Sequence, residues 1–94
     1  MNLLLKEEAR FEIIEAYQYY EKQQTNLGEF FLTQLDKCFK RVKSSPLLFP
    51  KKRDPFREAL VSKFPFIVIF EIEKENIVIY SVFNTWRNPK NKPQ

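Results

Sequence analysis

Residues 66–83 read Phe66-Ile67-Val68-Ile69-Phe70-Glu71-Ile72-Glu73-Lys74-Glu75-Asn76-Ile77-Val78-Ile79-Tyr80-Ser81-Val82-Phe83, and this stretch decides the fold. Two runs of β-branched and aromatic residues, 66–73 and 77–83, flank the polar triplet Lys74-Glu75-Asn76, which is the pattern of a β-hairpin. In the first run Phe66, Val68, Phe70 and Ile72 alternate with Ile67 and Ile69, and both sets are apolar until Glu71. One set is expected to pack on helices. The other calls for a curved sheet with a covering surface of its own, because a strand apolar on both faces in so small a protein is central or covered.

Working upstream, residues 56–63 carry the same residue types and predict a third strand. Between them and the preceding segment, Ser44-Ser45-Pro46 stops a helix. The stretch to Pro55, with three prolines and the run Lys51-Lys52-Arg53, has neither helical nor strand period and is expected to be a loop. Before it, Phe31, Leu35, Cys38, Phe39 and Val42 form one helical stripe, with Lys37, Lys40, Arg41 and Lys43 gathered toward the C-terminus, where the helix dipole favours cations. Thr25-Asn26-Leu27-Gly28-Glu29 reads as a tight connection in which Asn26 caps the helix and Glu29 returns the bond. From Lys6 to about Gln24, Ala9, Ile13, Ala16, Tyr17 and Tyr20 recur at steps of three and four, predicting a first amphipathic helix antiparallel to the second. Residues 2–5, Asn-Leu-Leu-Leu, suit a short N-terminal strand. The sum is an α+β domain: a short strand, a helical hairpin, then a three-stranded antiparallel meander completing a curved sheet.

Composition narrows the classes. Ninety-four residues with 44% hydrophobic and 16% aromatic content are enough for one small core, so residues 1–94 are taken as a single domain, with 88–94 a polar, proline-broken loose tail. The single cysteine, Cys38, has no disulfide partner within the chain, and with no histidine there is no Cys/His set for zinc. No metal or cofactor is therefore expected. The longest apolar stretch, 64–70, is too short to cross a bilayer, so a cytoplasmic protein without a membrane partner is the default. The net charge of +4 is unevenly spread. Residues 1–36 hold three Lys/Arg against seven Asp/Glu, and residues 37–63 hold nine against two. Such a basic middle attracts phosphates or an acidic protein, or it is a solvated helix end and loop.

Read as text, residues 56–70 (Phe56-Arg57-Glu58-Ala59-Leu60-Val61-Ser62-Lys63-Phe64-Pro65-Phe66-Ile67-Val68-Ile69-Phe70) and 79–89 (Ile79-Tyr80-Ser81-Val82-Phe83-Asn84-Thr85-Trp86-Arg87-Asn88-Pro89) resemble the RelE/ParE superfamily. In that pattern an Arg opens a strand, a Phe-Pro-aromatic step leads into an apolar strand, and the last strand ends in a valine, a histidine and an Arg-x-Pro. The resemblance covers nearly the whole chain. It implies the toxin of a bacterial type II toxin–antitoxin pair, also called a plasmid stabilisation protein, partnered by a cognate antitoxin.

The resemblance leaves three functions open: a growth inhibitor that binds DNA gyrase, a ribosome-dependent endoribonuclease acting on mRNA, and an inactive binding module. It departs from the pattern at Asn84, where many relatives carry histidine, and at Phe70, where a tyrosine is common. An amide cannot serve as a general acid or base near neutral pH, so a nuclease would rest on Arg57, Lys63 and Arg87, or on an acid such as Glu58. The gyrase-directed branch needs no such group. For contact with a target or antitoxin the resemblance selects Arg57, Lys63, Asn84, Trp86 and Arg87. Against these stand structural roles: Arg57 a packed strand cation, Trp86 the closing edge of the core, Asn84 a hydrogen-bonding residue. Cys38, on an apolar stripe, is expected to be core.

Overall fold

The computed structural model describes residues 1–86. Strand β1 (Asn2–Leu5) leads into helix α1 (Glu7–Gln23), helix α2 (Leu27–Ser44), a 3₁₀ turn at Pro46–Leu48, and strands β2 (Lys51–Arg53), β3 (Phe56–Leu60), β4 (Phe66–Glu73) and β5 (Asn76–Asn84). The sheet order is β1-β5-β4-β3-β2. Strands β2 to β5 run antiparallel, and β1 pairs parallel to β5, Leu3 opposite Ile77 and Leu5 opposite Ile79. The two helices lie on one side, so the α+β layout stands, as a mixed five-stranded sheet rather than a meander plus one strand.

The apolar periods of the sequence become the core. Ala9 and Ala16 of α1 meet Phe31, Leu35, Cys38 and Val42 of α2, and both rows pack on Phe66, Val68 and Phe70 of β4 and Ile77, Ile79 and Val82 of β5. Tyr20 is wedged among Phe31, Phe64 and Phe66, with ring centroids at 5.5, 4.8 and 6.2 Å. The other set of β4 residues, Ile67 and Ile69, forms a second small cluster with Phe83 and Phe56 on the opposite face.

A bulge sets the face of β5. Ile69 is opposite Ser81 and Phe70 opposite Ile79, so Tyr80 is the extra residue. Without it, strict alternation would put Val82 on the wrong side; with it, Ile77, Ile79 and Val82 all reach the helices. Among the described residues no strand lies beside the outer edge of β5 beyond Ile79, because β1 ends at Leu5. The carboxylate of Glu12 on α1 takes over there, accepting bonds from Val82 N at 2.9 Å and Ser81 Oγ at 2.8 Å.

Three expectations are corrected. The stretch 44–55 is not all loop: it contains the 3₁₀ turn and the edge strand β2, which pairs Lys51 with Arg57. An edge strand needs only a free backbone ladder beside it, which leaves no periodic trace in side chains. The third strand ends at Leu60 and not at residue 63, because Lys63 adopts a left-handed conformation (φ 73°) in the turn to β4, where Val61 N donates to Phe66 O at 3.0 Å. Asn26 does not cap α2 through its side chain; it is left-handed (φ 73°), and the donors are met from the other helix. Glu21 accepts from Asn26 N and Gly28 N, both at 2.9 Å, so α1 itself caps α2.

Candidate functional site

The residues selected from the sequence separate into two places. The turn that carries Lys63 and the end of β5 that carries Asn84 and Trp86 lie at the same end of the sheet. Phe66 is opposite Asn84, and Thr85 donates to Pro65 O through both its amide (2.7 Å) and its hydroxyl (3.0 Å). Asn84 spends its side-chain oxygen on Trp86 N at 2.9 Å, a local Asx-type bond that shapes the strand end. Trp86 is 82% exposed and closes no core. Arg87 lies outside the described residues.

Arg57 is elsewhere. It pairs with Phe70, on the helix-facing side of β3, and its guanidinium donates to Phe49 O at 2.7 Å. Three residue steps along β3 separate it from Leu60, on the order of 10 Å. It tethers the segment after the 3₁₀ turn, while Lys63 stands exposed in its own turn.

What surrounds Lys63 is a basic depression of about 800 Å³, open to solvent, bordered by Lys37, Lys40 and Arg41 of α2 and by Leu60. A second depression of about 390 Å³ continues from Lys40 and Arg41 to Leu48 and Phe49. Arg41 donates through Nη2 to Leu60 O at 3.0 Å, which pins its guanidinium between the two. Lys40 pairs with Asp36 at 3.0 Å, with both side chains mostly exposed. Cys38 lies beneath, wholly buried, with Sγ 3.5 Å from Leu60 O; burial pushes its thiol above the ordinary range, against the smaller opposing pull of Arg41. Its place is in the core, as its stripe implied.

A second cluster was not read from the sequence. On the face away from the helices the Tyr80 hydroxyl lies 2.8 Å from a Glu73 oxygen and 3.0 Å from a Glu71 oxygen. The Lys6 ammonium sits 5.3 Å from the centre of the Tyr80 ring, and the Phe56 ring meets it edge-on at 5.1 Å. One phenol has one proton, so it donates to one carboxylate at a time. The hydrogen bond to Glu73, then burial and the bond to Glu71, hold that proton well above a tyrosine's ordinary pKa. The group is a donor at neutral pH, not a base. Its signal was present in the polar residues Glu71, Glu73 and Tyr80 interrupting otherwise apolar runs, but only the bulge brings the three together. Among the described residues no group of three or more His, Cys, Asp or Glu side chains could hold a metal ion, and no helix is long and apolar enough to cross a membrane.

No family model matches the chain, and no curated protein matches it by sequence. Among solved structures it is similar to a chain described as "Chromosomal ParDE TA system from P. aeruginosa", at 18% identity and a TM-score of 0.66, over 89% of this chain and 95% of that one. At that identity the likeness is one of fold. The α+β architecture expected from the sequence is the architecture found, and its fold is shared with that chain.

Proposed function

We propose that this chain is the toxin of a type II toxin–antitoxin pair, which stops bacterial growth by binding DNA gyrase in the cytoplasm and is neutralised by a cognate antitoxin. The observation that carries the toxin reading is the fold shared, over nearly the whole of both chains, with a chain of a ParDE system. Two features of the candidate residues support binding over RNA cleavage. The Asn84 amide cannot give up or take a proton near neutral pH, and its oxygen is committed to Trp86. Arg57 and Lys63 do not converge: one is bonded to Phe49 O beside the helices, the other stands in a separate turn. A cleavage site needs cations and a proton-transfer group around one phosphate.

A ribosome-dependent endoribonuclease is the second reading. It is favoured by the Tyr80 hydroxyl on the open face, held between two carboxylates beside Lys6. Induced expression of the chain alone separates these readings, with amino-acid incorporation and plasmid supercoiling followed over the first minutes. Lost supercoiling with continued protein synthesis is the expected result. A prompt collapse of synthesis would replace it with the nuclease reading, and unimpaired growth would leave an inactive binding module.

A further inference from the structure

We infer that the depression between α2 and the β3–β4 turn binds the phosphate backbone of a nucleic-acid duplex. The inference goes beyond the toxin reading and does not rest on it.

The side chains that line the depression are polar: Gln34, Lys37, Lys40 and Arg41 from α2, Ser62 and Lys63 from the turn. Leu60 pairs with Ile67 and shares that residue's face of the sheet, away from the helices, so it turns only its oxygen toward α2, where Arg41 Nη2 donates to it at 3.0 Å. Among the described residues Lys37 and Lys63 have no carboxylate in ion-pair contact, and Lys40 meets Asp36 alone, with both side chains mostly exposed. Four cations thus share one concavity with a single screened counter-charge, an arrangement that favours an anion. Lys63 also reaches it from a left-handed backbone (φ 73°), a conformation that costs a residue with a Cβ.

The topology extends this field. Helix α1, with the exposed Glu7 and Glu8, packs on β5, whereas α2 packs on β3, and β2 with its exposed Lys51, Lys52 and Arg53 is the strand beyond. The acid-rich start of the chain and its basic middle therefore occupy opposite halves of the sheet, and a polyanion is drawn to the α2 side.

The lining decides which polyanion. A single strand is held by bases stacked on aromatic rings as well as by cations, and among the described residues no ring lines this depression. An acidic amphipathic helix needs apolar surface beside the cations for its own stripe, and these side chains offer none. A duplex backbone asks only for cations and hydroxyls in a row. From Gln34 to Arg41 the depression follows α2 for about 10 Å at the helical rise, the axial span of about three phosphates of one strand.

The test is fluorescence anisotropy of a labelled duplex DNA of mixed sequence, titrated with the full chain between about 25 and 200 mM salt. Neutralising about three phosphates predicts that log K falls with log salt at a slope of about −3. In K37A/K63N the slope should become shallower by about two and binding at low salt should weaken by at least about tenfold. Asparagine tolerates the left-handed backbone of residue 63, and both positions are exposed, so an unchanged far-ultraviolet spectrum is expected for this variant. K22A/K74A, which removes two exposed cations outside the depression, should keep the parent slope and affinity.

A K37A/K63N slope equal to the parent's overturns the inference, as does an equal loss in K22A/K74A, which would mark net charge alone. Tighter binding of a single strand of the same length, with quenching of Trp86, overturns it in favour of stacking at the sheet's end. Polyglutamate of matching charge bound as tightly as the duplex overturns it in favour of an acidic protein, and no anisotropy change at the lowest salt overturns it outright. Because the titration reads binding alone, a chain that proves harmless to growth fails the toxin reading without touching this one.

Discussion

Replacing Glu12 by alanine removes the carboxylate that closes the open edge of β5. In the native chain it accepts from Val82 N and from Ser81 Oγ, at 2.9 and 2.8 Å, and Ser81 is wholly buried. Each hydrogen bond to a charged group contributes about 1.5–3 kcal/mol, and a buried donor left unpaired loses its hydration with nothing in return. Taking the lower figure for both bonds gives a loss of about 3 kcal/mol. For a domain of this length the total stability is about 5–14 kcal/mol, so the loss is a large share of it. With a denaturant slope of about 1.5 kcal/mol per molar, the urea midpoint should fall by roughly 2 M. E12Q keeps one acceptor oxygen in place and should recover about half of this. Far-ultraviolet circular dichroism is the suitable readout, since Trp86 is too exposed to report on the core. An E12A midpoint within about 0.3 M of the parent would refute the reasoning, as it would correspond to less than one hydrogen bond.

Three further outcomes follow from separate parts of the molecule. A Cβ at Gly28 would lie 2.8 Å from both Tyr17 Cδ1 and Tyr17 O, so G28A should destabilise by about 2 kcal/mol although alanine is the better helix former; a gain in melting temperature would show that the helices do not approach so closely. Tyr80 should ionise later than an ordinary tyrosine in an absorbance titration, with Y80F deleting that late step and E71Q/E73Q returning it toward its usual position. Its folded pKa exceeds its unfolded value near 10, so the stabilisation is present below about pH 10 and is lost as the pH rises from there toward the folded value; stability unchanged through that window would contradict the double contact. R57A should release the Phe49 carbonyl and loosen the edge strand, speeding exchange of the Glu58 amide, which is bonded to Pro50 O at 3.1 Å, by about tenfold; unaltered exchange would mean Arg57 has no tethering role.

The candidate site was legible in composition and illegible in geometry. The basic middle of the chain pointed to a cationic surface, and Lys63 indeed joins Lys37, Lys40 and Arg41 around one depression. Arg57, drawn from the same stretch of text, faces the helices because strand alternation puts it on the side of Ala59 and Phe70. The cations of α2 read as complements to the helix dipole; their second role depends on β3 arriving alongside, which is a contact of high sequence separation. Glu12 had only its place among the polar residues of an amphipathic helix, and nothing local distinguishes it from Glu8 or Glu15.

By itself the sequence determined the element types and the core: periods of 3.6 and 2 are local, and burial of apolar area enforces them, so Phe31, Leu35, Cys38 and Val42 on one stripe and Phe66, Val68 and Phe70 on another had one place to go. Only the tertiary structure decided the parallel pairing of β1 with β5, the edge strand β2, the bulge at Tyr80 and the capping of α2 by Glu21. Each of these satisfies backbone donors and acceptors left over once the core has formed, and every residue carries the same backbone groups, so which of them lack a partner is known only when the elements meet.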